Sequence, residues 1–116
     1  MKYLKKYEFF DLENWDEVDE DGSFLSWLKN NYSKDKWNNI KKINCFNKNL
    51  TDLNGLENLK NLEFLNCSFN QLREINGLKN LRNLKELYCY NNNNLSLSEK
   101  NRITNYCKEK NIYLSI

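Results

Sequence analysis

The stretch "LEFLNCSFNQLREINGLKNL" at residues 62–81 decides the fold, because its residue types recur at a fixed spacing in the chain. Shifting the sequence by 22 residues aligns two sets of aliphatic residues and three cysteines: Ile40, Leu62 and Leu84; Ile43, Leu65 and Leu87; Cys45, Cys67 and Cys89. The same shift pairs Leu50 with Leu72, Leu53 with Ile75, Gly55 with Gly77, Leu56 with Leu78, and Leu59 with Leu81. A fixed period of this length indicates a repeat architecture, in which neighbouring units share one core.

The repeat unit reads L-x-x-L-x-C-x-x-N-x-L-x-x-I-x-G-L-x-x-L, and it resembles the leucine-rich repeat in its 22-residue form. The second half, as in "LREINGLKNL", is most similar to the internalin and phosphatase-regulator subclasses. The resemblance is strong over residues 40–94. It implies an α/β solenoid with about four parallel strands on a concave face, and it says little about function, because the family is defined by architecture.

The middle of the unit has the alternation of a short strand. In "FLNCSF", Leu65 and Cys67 are predicted to point inward, while Phe64, Asn66 and Ser68 point outward. The resemblance implies that the asparagine of each unit, Asn70 or Asn92, turns inward and bonds the backbone of the next turn. The first unit departs from this pattern with Lys48, so we expect a looser edge there.

The two ends of the solenoid are predicted to be closed by helices. In "GSFLSWLKNNY", Ser23 is a candidate N-cap before apolar residues at helical spacing. In "SLSEKNRITNYCKEKN", Ser96 and Glu99 have capping-box spacing and predict a helix of about twelve residues. "NIYLSI" then predicts a last strand, with Ile112 opposite Leu87 and Leu114 opposite Cys89. We therefore divide the chain into an acidic and helical N-terminal cap (1–39) and a solenoid with its C-terminal cap (40–116), forming one folding unit.

The periodic cysteines raise the question of a metal or redox site. The chain has four cysteines, no CxxC pair and no histidine, so the usual zinc spacings are absent from the sequence. Each periodic cysteine stands where a small apolar core residue is expected, and free cysteine packs as one. Cys107 shares a predicted helical face with Ile103 and Tyr106. We expect four reduced core cysteines, no metal and no cofactor.

Charge is distributed unevenly along the chain. Residues 1–21 carry eight acidic side chains against three lysines, about −5, while the remaining residues carry fifteen basic against eight acidic side chains, about +7. No apolar run is long enough to span a bilayer, and the first residues lack the apolar core of a signal peptide, which predicts a cytoplasmic protein. Asparagine makes up about a fifth of the chain and alanine and proline are missing, which follows AT-rich codon usage and fits a bacterium, a phage or an amoeba-associated virus with an AT-rich genome.

Catalysis has little support in the sequence. Without histidine, a general base would have to be a carboxylate or a lysine, and the three glycines form no phosphate-binding loop. "EVDEDGSFLSWL" resembles the start of a calcium loop, but its twelfth position is Leu28 where a bidentate carboxylate is needed. We predict a protein that is not an enzyme.

The remaining candidate is the outward face of the strands. The predicted outward rows are Lys42, Phe64, Glu86 and Asn111; Asn44, Asn66, Tyr88 and Tyr113; and Phe46, Ser68, Tyr90 and Ser115. Five of these twelve residues are aromatic, which favours a binding face over a merely solvated one. The alternative is that ring pairs only stabilise neighbouring strands. Phe69 is left out, because the residue before the asparagine is often partly buried in the family. The predicted partner-binding residues are Lys42, Asn44, Phe46, Phe64, Asn66, Glu86, Tyr88, Tyr90 and Tyr113.

Two kinds of partner stay open. The first is another protein, bound by a monomeric adaptor or inhibitor that acts by occlusion, which includes a phage protein that blocks a host defence. Since the sheet is small against the roughly 800 Å² that a specific interface needs from each partner, such a protein must also touch a flank, either the acidic segment or the loop at residues 91–94. The second is nucleic acid, using tyrosine stacking together with a basic convex side. Its predicted cations are Lys60, Lys79, Arg82 and Lys85.

Overall fold

Four short parallel strands form one sheet in the computed structural model, which describes residues 22–116. The strands are β1 (Lys42–Asn44), β2 (Phe64–Asn66), β3 (Glu86–Tyr88) and β4 (Tyr113–Ser115). Their order in the sheet is their order in the chain. In β1 to β3 the central residue is a fully buried aliphatic one and its neighbours are partly or fully exposed, as the two-residue period of a strand requires.

The register confirms the 22-residue period for the first three strands and corrects it for the fourth. Leu65 lies opposite Leu87, whereas Leu87 lies opposite Leu114 and not Ile112, so the predicted pairing of the last strand is wrong. The preceding helix ends in a left-handed residue, Asn111 (φ 60°), and the Ile112 N–H bonds the Cys107 carbonyl of that helix. Ile112 thus belongs to the helix end, and the strand begins one residue later.

This shift changes all three predicted outward rows, because Ser115 also leaves the row of Phe46, Ser68 and Tyr90. Asn111 lies outside the sheet as the helix C-cap, and Tyr113 takes its place beside Glu86. Ser115 lies beside Tyr88, where Tyr113 was expected.

The core is a stack of equivalent residues from successive repeats. Cys45, Cys67 and Cys89 are buried one behind the other, with the repeat leucines and isoleucines around them. Between the strands the chain returns through short 3₁₀ helices at Leu56–Asn58 and Leu78–Asn80, and a third, Lys34–Asn39, precedes β1. The predicted apolar role of the periodic cysteines is confirmed.

The buried asparagines satisfy backbone groups that the turns would leave unpaired. Asn70 accepts the backbone N–H groups of Lys48 and Leu50, both at 2.9 Å, and donates to the carbonyls of Cys45 and Cys67, also at 2.9 Å. The inward orientation is confirmed, but the direction differs from the prediction. Each asparagine bonds its own turn and the repeat before it, not the repeat after it.

A short helix, α1 (Phe24–Asn31), lies before the first strand. Ser23 is its N-cap, with its hydroxyl accepting the Ser26 N–H at 3.1 Å, as predicted. The helix buries Phe24 and other apolar side chains in the common core. Gly55 (φ 103°) lies directly under this helix, since an added Cβ would stand 2.9 Å from a methyl group of Leu25. A side chain at position 55 would force the Leu25 side chain to shift and would be strained by the left-handed backbone.

A longer helix, α2 (Leu97–Lys110), connects β3 to β4. Ser96 accepts the Glu99 N–H at 3.1 Å, which confirms the predicted N-cap. The reciprocal bond of a capping box is replaced by a longer-range one, because the Glu99 carboxylate accepts the Ile75 N–H at 3.0 Å. Arg102 donates to the Ile75 carbonyl at 2.7 Å and pairs with Glu99. The two side chains fix α2 to the second repeat.

Residues 1–21 lie outside the described part of the chain. The predicted acidic segment, the first five residues of the dismissed calcium-loop match and the first half of the predicted N-terminal cap fall there. The expectations for the acidic segment and for that half of the cap remain predictions.

Candidate functional site

The outward side of the sheet carries a cluster of aromatic side chains that reaches across all four strands. We call this cluster the aromatic face. Its members are Phe46, Phe64, Phe69, Tyr88, Tyr90 and Tyr113.

One chain of rings crosses the strands themselves. Tyr88 stands in the middle, with ring centroids 5.4 Å from Phe64 and 5.6 Å from Tyr113. Lys42 places its ammonium group 5.8 Å from the Phe64 ring at the β1 end. The Tyr88 hydroxyl donates to the Glu86 carboxylate at 2.8 Å, and this bond raises the pKa of the tyrosine. The central ring is thus held in one orientation by a neighbour on its own strand.

A second chain of rings lies just beyond the ends of the strands. Phe69 stands in its middle, 5.0 Å from the Phe46 ring and 5.6 Å edge-on from the Tyr90 ring. Phe69 is 42% exposed. Its exclusion from the predicted face was therefore wrong.

The 22-residue period itself holds a signal for Phe69. The equivalent residues of the other two repeats are Asn47 and Asn91, and all three have a left-handed backbone, with φ between 56° and 60°. Asparagine tolerates this conformation, whereas a bulky side chain is an outlier in it. An aromatic residue aligned with two asparagines thus marks an unusual position.

Ser68 was predicted on the outward face, but it is fully buried. The equivalent residues Phe46 and Tyr90 belong to the aromatic face, so the burial of Ser68 is specific to the second repeat. The Ser68 hydroxyl accepts the Tyr90 N–H at 3.2 Å, and the left-handed turn at Phe69 brings the phenyl ring outward instead.

Two of the predicted partner-binding residues also form hydrogen bonds within their own turns. Asn44 accepts the Phe46 N–H at 3.2 Å, and Asn66 accepts the Ser68 N–H at 3.1 Å. Each side-chain oxygen closes the turn that follows its strand. The amide oxygens are therefore engaged, and these residues position the turns that carry Phe46 and Phe69.

Comparison with known families supports the repeat assignment. Residues 60–100 match the family model described as leucine-rich repeats, in two copies. Residues 60–100 of the chain carry two leucine-rich repeats. The parallel pairing of β1 with β2 extends the leucine-rich repeat geometry to residues before the matched segment. Comparisons with curated proteins and with solved structures found no match.

Leucine-rich repeats generally serve as protein-binding modules without catalytic activity of their own. Within residues 22–116 no cluster of three or more histidine, cysteine or acidic side chains is placed to hold a metal ion. The same residues include no helix long and apolar enough to cross a membrane.

The cysteines of the leucine-rich repeats have thiols whose ionisation is suppressed. Burial raises the pKa of Cys45 and of Cys89 to about 12, and it raises the pKa of Cys67 well above its ordinary range. All four cysteines, including Cys107 on α2, are free and buried. Since the thiolate is the reactive form, these side chains act as packing groups.

The predicted basic residues divide into two groups. Lys60, Lys79 and Arg82 line one surface groove formed by the segments that return to the strands. Lys85 instead lies 4.0 Å from the Glu63 carboxylate, which also pairs with Lys41 at 3.7 Å. The structure thus brings together three of the four cations.

Proposed function

We propose that the aromatic face binds another protein and that the chain acts as a small non-catalytic adaptor or inhibitor, which occludes the surface of its partner. The face is the concave side of the proposed solenoid. Exposed aromatic side chains suit this role, because they supply large contact area at interface centres with little loss of conformational freedom.

The observation that carries this proposal is the backbone of Phe69. Holding a bulky residue in the left-handed region costs roughly 1–2 kcal/mol relative to the right-handed one. The other two repeats avoid this cost with Asn47 and Asn91. Strain that a structure retains at an exposed position points to a functional requirement for the side chain.

The alternative is that the rings only stabilise the sheet. It accounts for Phe64 and Tyr88, which lie diagonally on adjacent strands with their ring centroids 5.4 Å apart. It accounts less well for Phe69, which follows the end of β2 and keeps 42% of its surface exposed. A half-exposed ring gains limited burial energy to offset its strain.

The size of the face suggests that a partner contacts more than the sheet. Four strands of three residues each cover roughly 15 by 10 Å, well below the 800 Å² or so of a specific interface. The second chain of rings enlarges the surface toward the loop at residues 91–94, where Asn91, Asn93 and Asn94 are exposed. That loop and the acidic segment are the proposed flanks.

The test begins with an affinity pull-down from the native host, after which the recovered protein is titrated by calorimetry. Tyr88→Ala and Tyr90→Ala should each weaken the complex by about 2 kcal/mol or more, as central aromatic anchors do. The double variant Lys79→Ala with Arg82→Ala changes the basic groove and should leave this complex intact. Full-strength binding by both tyrosine variants would refute the proposal.

A further inference from the structure

The basic groove is separate from the aromatic face and has a chemistry of its own. It encloses about 580 Å³ and is lined by Lys60, Asn61, Lys79, Asn80, Arg82 and Asn83. Lys60 and Arg82 are equivalent residues of successive repeats, 22 positions apart, as are Asn61 and Asn83. The repeat therefore places cations and amides in parallel rows.

The cations of the groove have no acidic partner in the described part of the chain. Glu63 and Glu99 take the ion pairs found within residues 22–116, and their partners are Lys41, Lys85 and Arg102. Lys60, Lys79 and Arg82 are exposed, and no carboxylate lines their groove. Three like charges in one concavity create a positive potential that attracts an anion.

The amides hold the groove wall in place. Asn61 donates to the Asn38 carbonyl at 2.6 Å, and Asn83 donates to the Asn61 side chain at 3.4 Å. This ladder connects successive repeats along the wall. The Asn80 amide takes part in no such bond among the described residues, and its N–H groups remain available to an acceptor.

The groove lining favours phosphate over a protein surface. All six lining residues are basic or amide-bearing, and no apolar or aromatic side chain is among them. Protein interfaces need an apolar centre, whereas lysine, arginine and asparagine side chains suit phosphate oxygens. At about 580 Å³ the groove has the size of a small-molecule pocket, which suits the backbone of a single strand better than a duplex.

We propose that this groove binds the phosphate backbone of a single-stranded nucleic acid, as a second site that operates independently of the aromatic face. The absence of a ring in the lining removes base stacking, so binding there is weak and insensitive to sequence. A neighbouring depression of about 450 Å³ shares Lys79 and Arg82 and adds Lys110, but it also contains Glu109. The backbone therefore runs toward Lys60 rather than toward α2.

The test measures fluorescence anisotropy of a labelled oligothymidine of about 12 nucleotides with the full chain, from about 50 to 200 mM salt. Three phosphate contacts predict a logarithmic salt slope near −2 and a loss of roughly 20-fold in affinity over that range. Lys79→Ala with Arg82→Ala should reduce the slope to about −0.7, which leaves a loss of roughly threefold.

Two control variants separate a site from a general charge effect. Lys29→Ala with Lys36→Ala removes the same charge from exposed positions outside the groove lining and should leave the slope unchanged. Lys79→Arg with Arg82→Lys keeps the charge and should retain binding. Equal weakening by the two alanine pairs, or no binding at the lowest salt, would overturn the proposal. So would equal competition by polyglutamate, since the groove would then accept acidic polypeptide.

Discussion

Asn70 reaches back 22 positions in the sequence, and its Oδ1 accepts the backbone N–H of Lys48 at 2.9 Å. Lys48 occupies the position where the later repeats have their own asparagine. The turn of the first repeat is therefore closed by a side chain from the second repeat, which also accepts the Leu50 N–H.

Replacing Asn70 should destabilise the whole chain. Asn70→Ala leaves two backbone N–H groups and at least two carbonyls without their partner in a buried turn, at an expected cost of about 2–4 kcal/mol. Asn76→Ala, at an exposed position, should stay within about 0.5 kcal/mol of the parent. Urea denaturation followed by circular dichroism measures both. Similar stability of the two variants would show that the Asn70 network contributes little.

Replacing Phe69, whose backbone is left-handed, should change partner binding much more than it changes the stability of the chain. Phe69→Asn relieves strain of about 1–2 kcal/mol and loses two ring contacts of about 0.5–1.5 kcal/mol each, so the two effects nearly cancel and the free energy of unfolding should stay within about 1 kcal/mol of the parent. Phe46→Asn loses the same ring pair without relief of strain and should be less stable than the parent. Thermal melts and calorimetry with the partner apply to both variants. Clear destabilisation by Phe69→Asn would mean that the ring serves the fold.

The cysteines should resist thiol reagents in the folded state. Because burial raises the pKa of Cys45 and Cys89 to about 12, almost no thiolate is present near pH 8. Ellman's reagent should react slowly with the native chain, at a rate set by unfolding, and at once with all four thiols in denaturant. Rapid reaction in native buffer would contradict the buried core ladder.

The contacts of the Glu99 carboxylate should make the stability of the chain depend on pH. The hydrogen bond from Arg102 holds the pKa of Glu99 below its ordinary value of 4.5, with a further contribution from the Ile75 N–H. The stabilisation is therefore complete above the ordinary pKa and is lost as the pH falls through the lowered one. Glu99→Gln should melt lower than the parent at pH 7, and this difference should shrink below about pH 4. A difference independent of pH would show that the carboxylate charge is unimportant.

The periodic residues predicted most of the architecture, because equivalent residues pack in the same way in each repeat. The spacing of Leu65 and Leu87 indicates both a strand and its register, and Ser23 marks a helix start by local chemistry alone. The 22-residue period did not predict the register of the fourth strand. The number of residues between α2 and β4 depends on the left-handed turn at Asn111, which the apolar pattern does not encode.

The candidate site was less predictable than the fold, because turns decide which side chains emerge. Alternation predicts Ser68 outward and the family resemblance predicts a partly buried Phe69, whereas Ser68 is fully buried and Phe69 is 42% exposed. Ion pairing also decides which of the predicted basic residues lie in the groove. Lys85 resembles its basic neighbours in the sequence, but the alignment of Glu63 beside it in space separates it from the groove.

The backward reach of the asparagines sets an order for folding on the ribosome. The turn at residues 45–50 has its hydrogen-bond partners only once Asn70 has been synthesised, and the turn of the second repeat needs Asn92 in the same way. During synthesis each of these turns can therefore gain its side-chain partner only after the asparagine of the following repeat has left the ribosome. In a chain that ends before residue 70, the backbone N–H groups of Lys48 and Leu50 would lack the partner that Asn70 supplies.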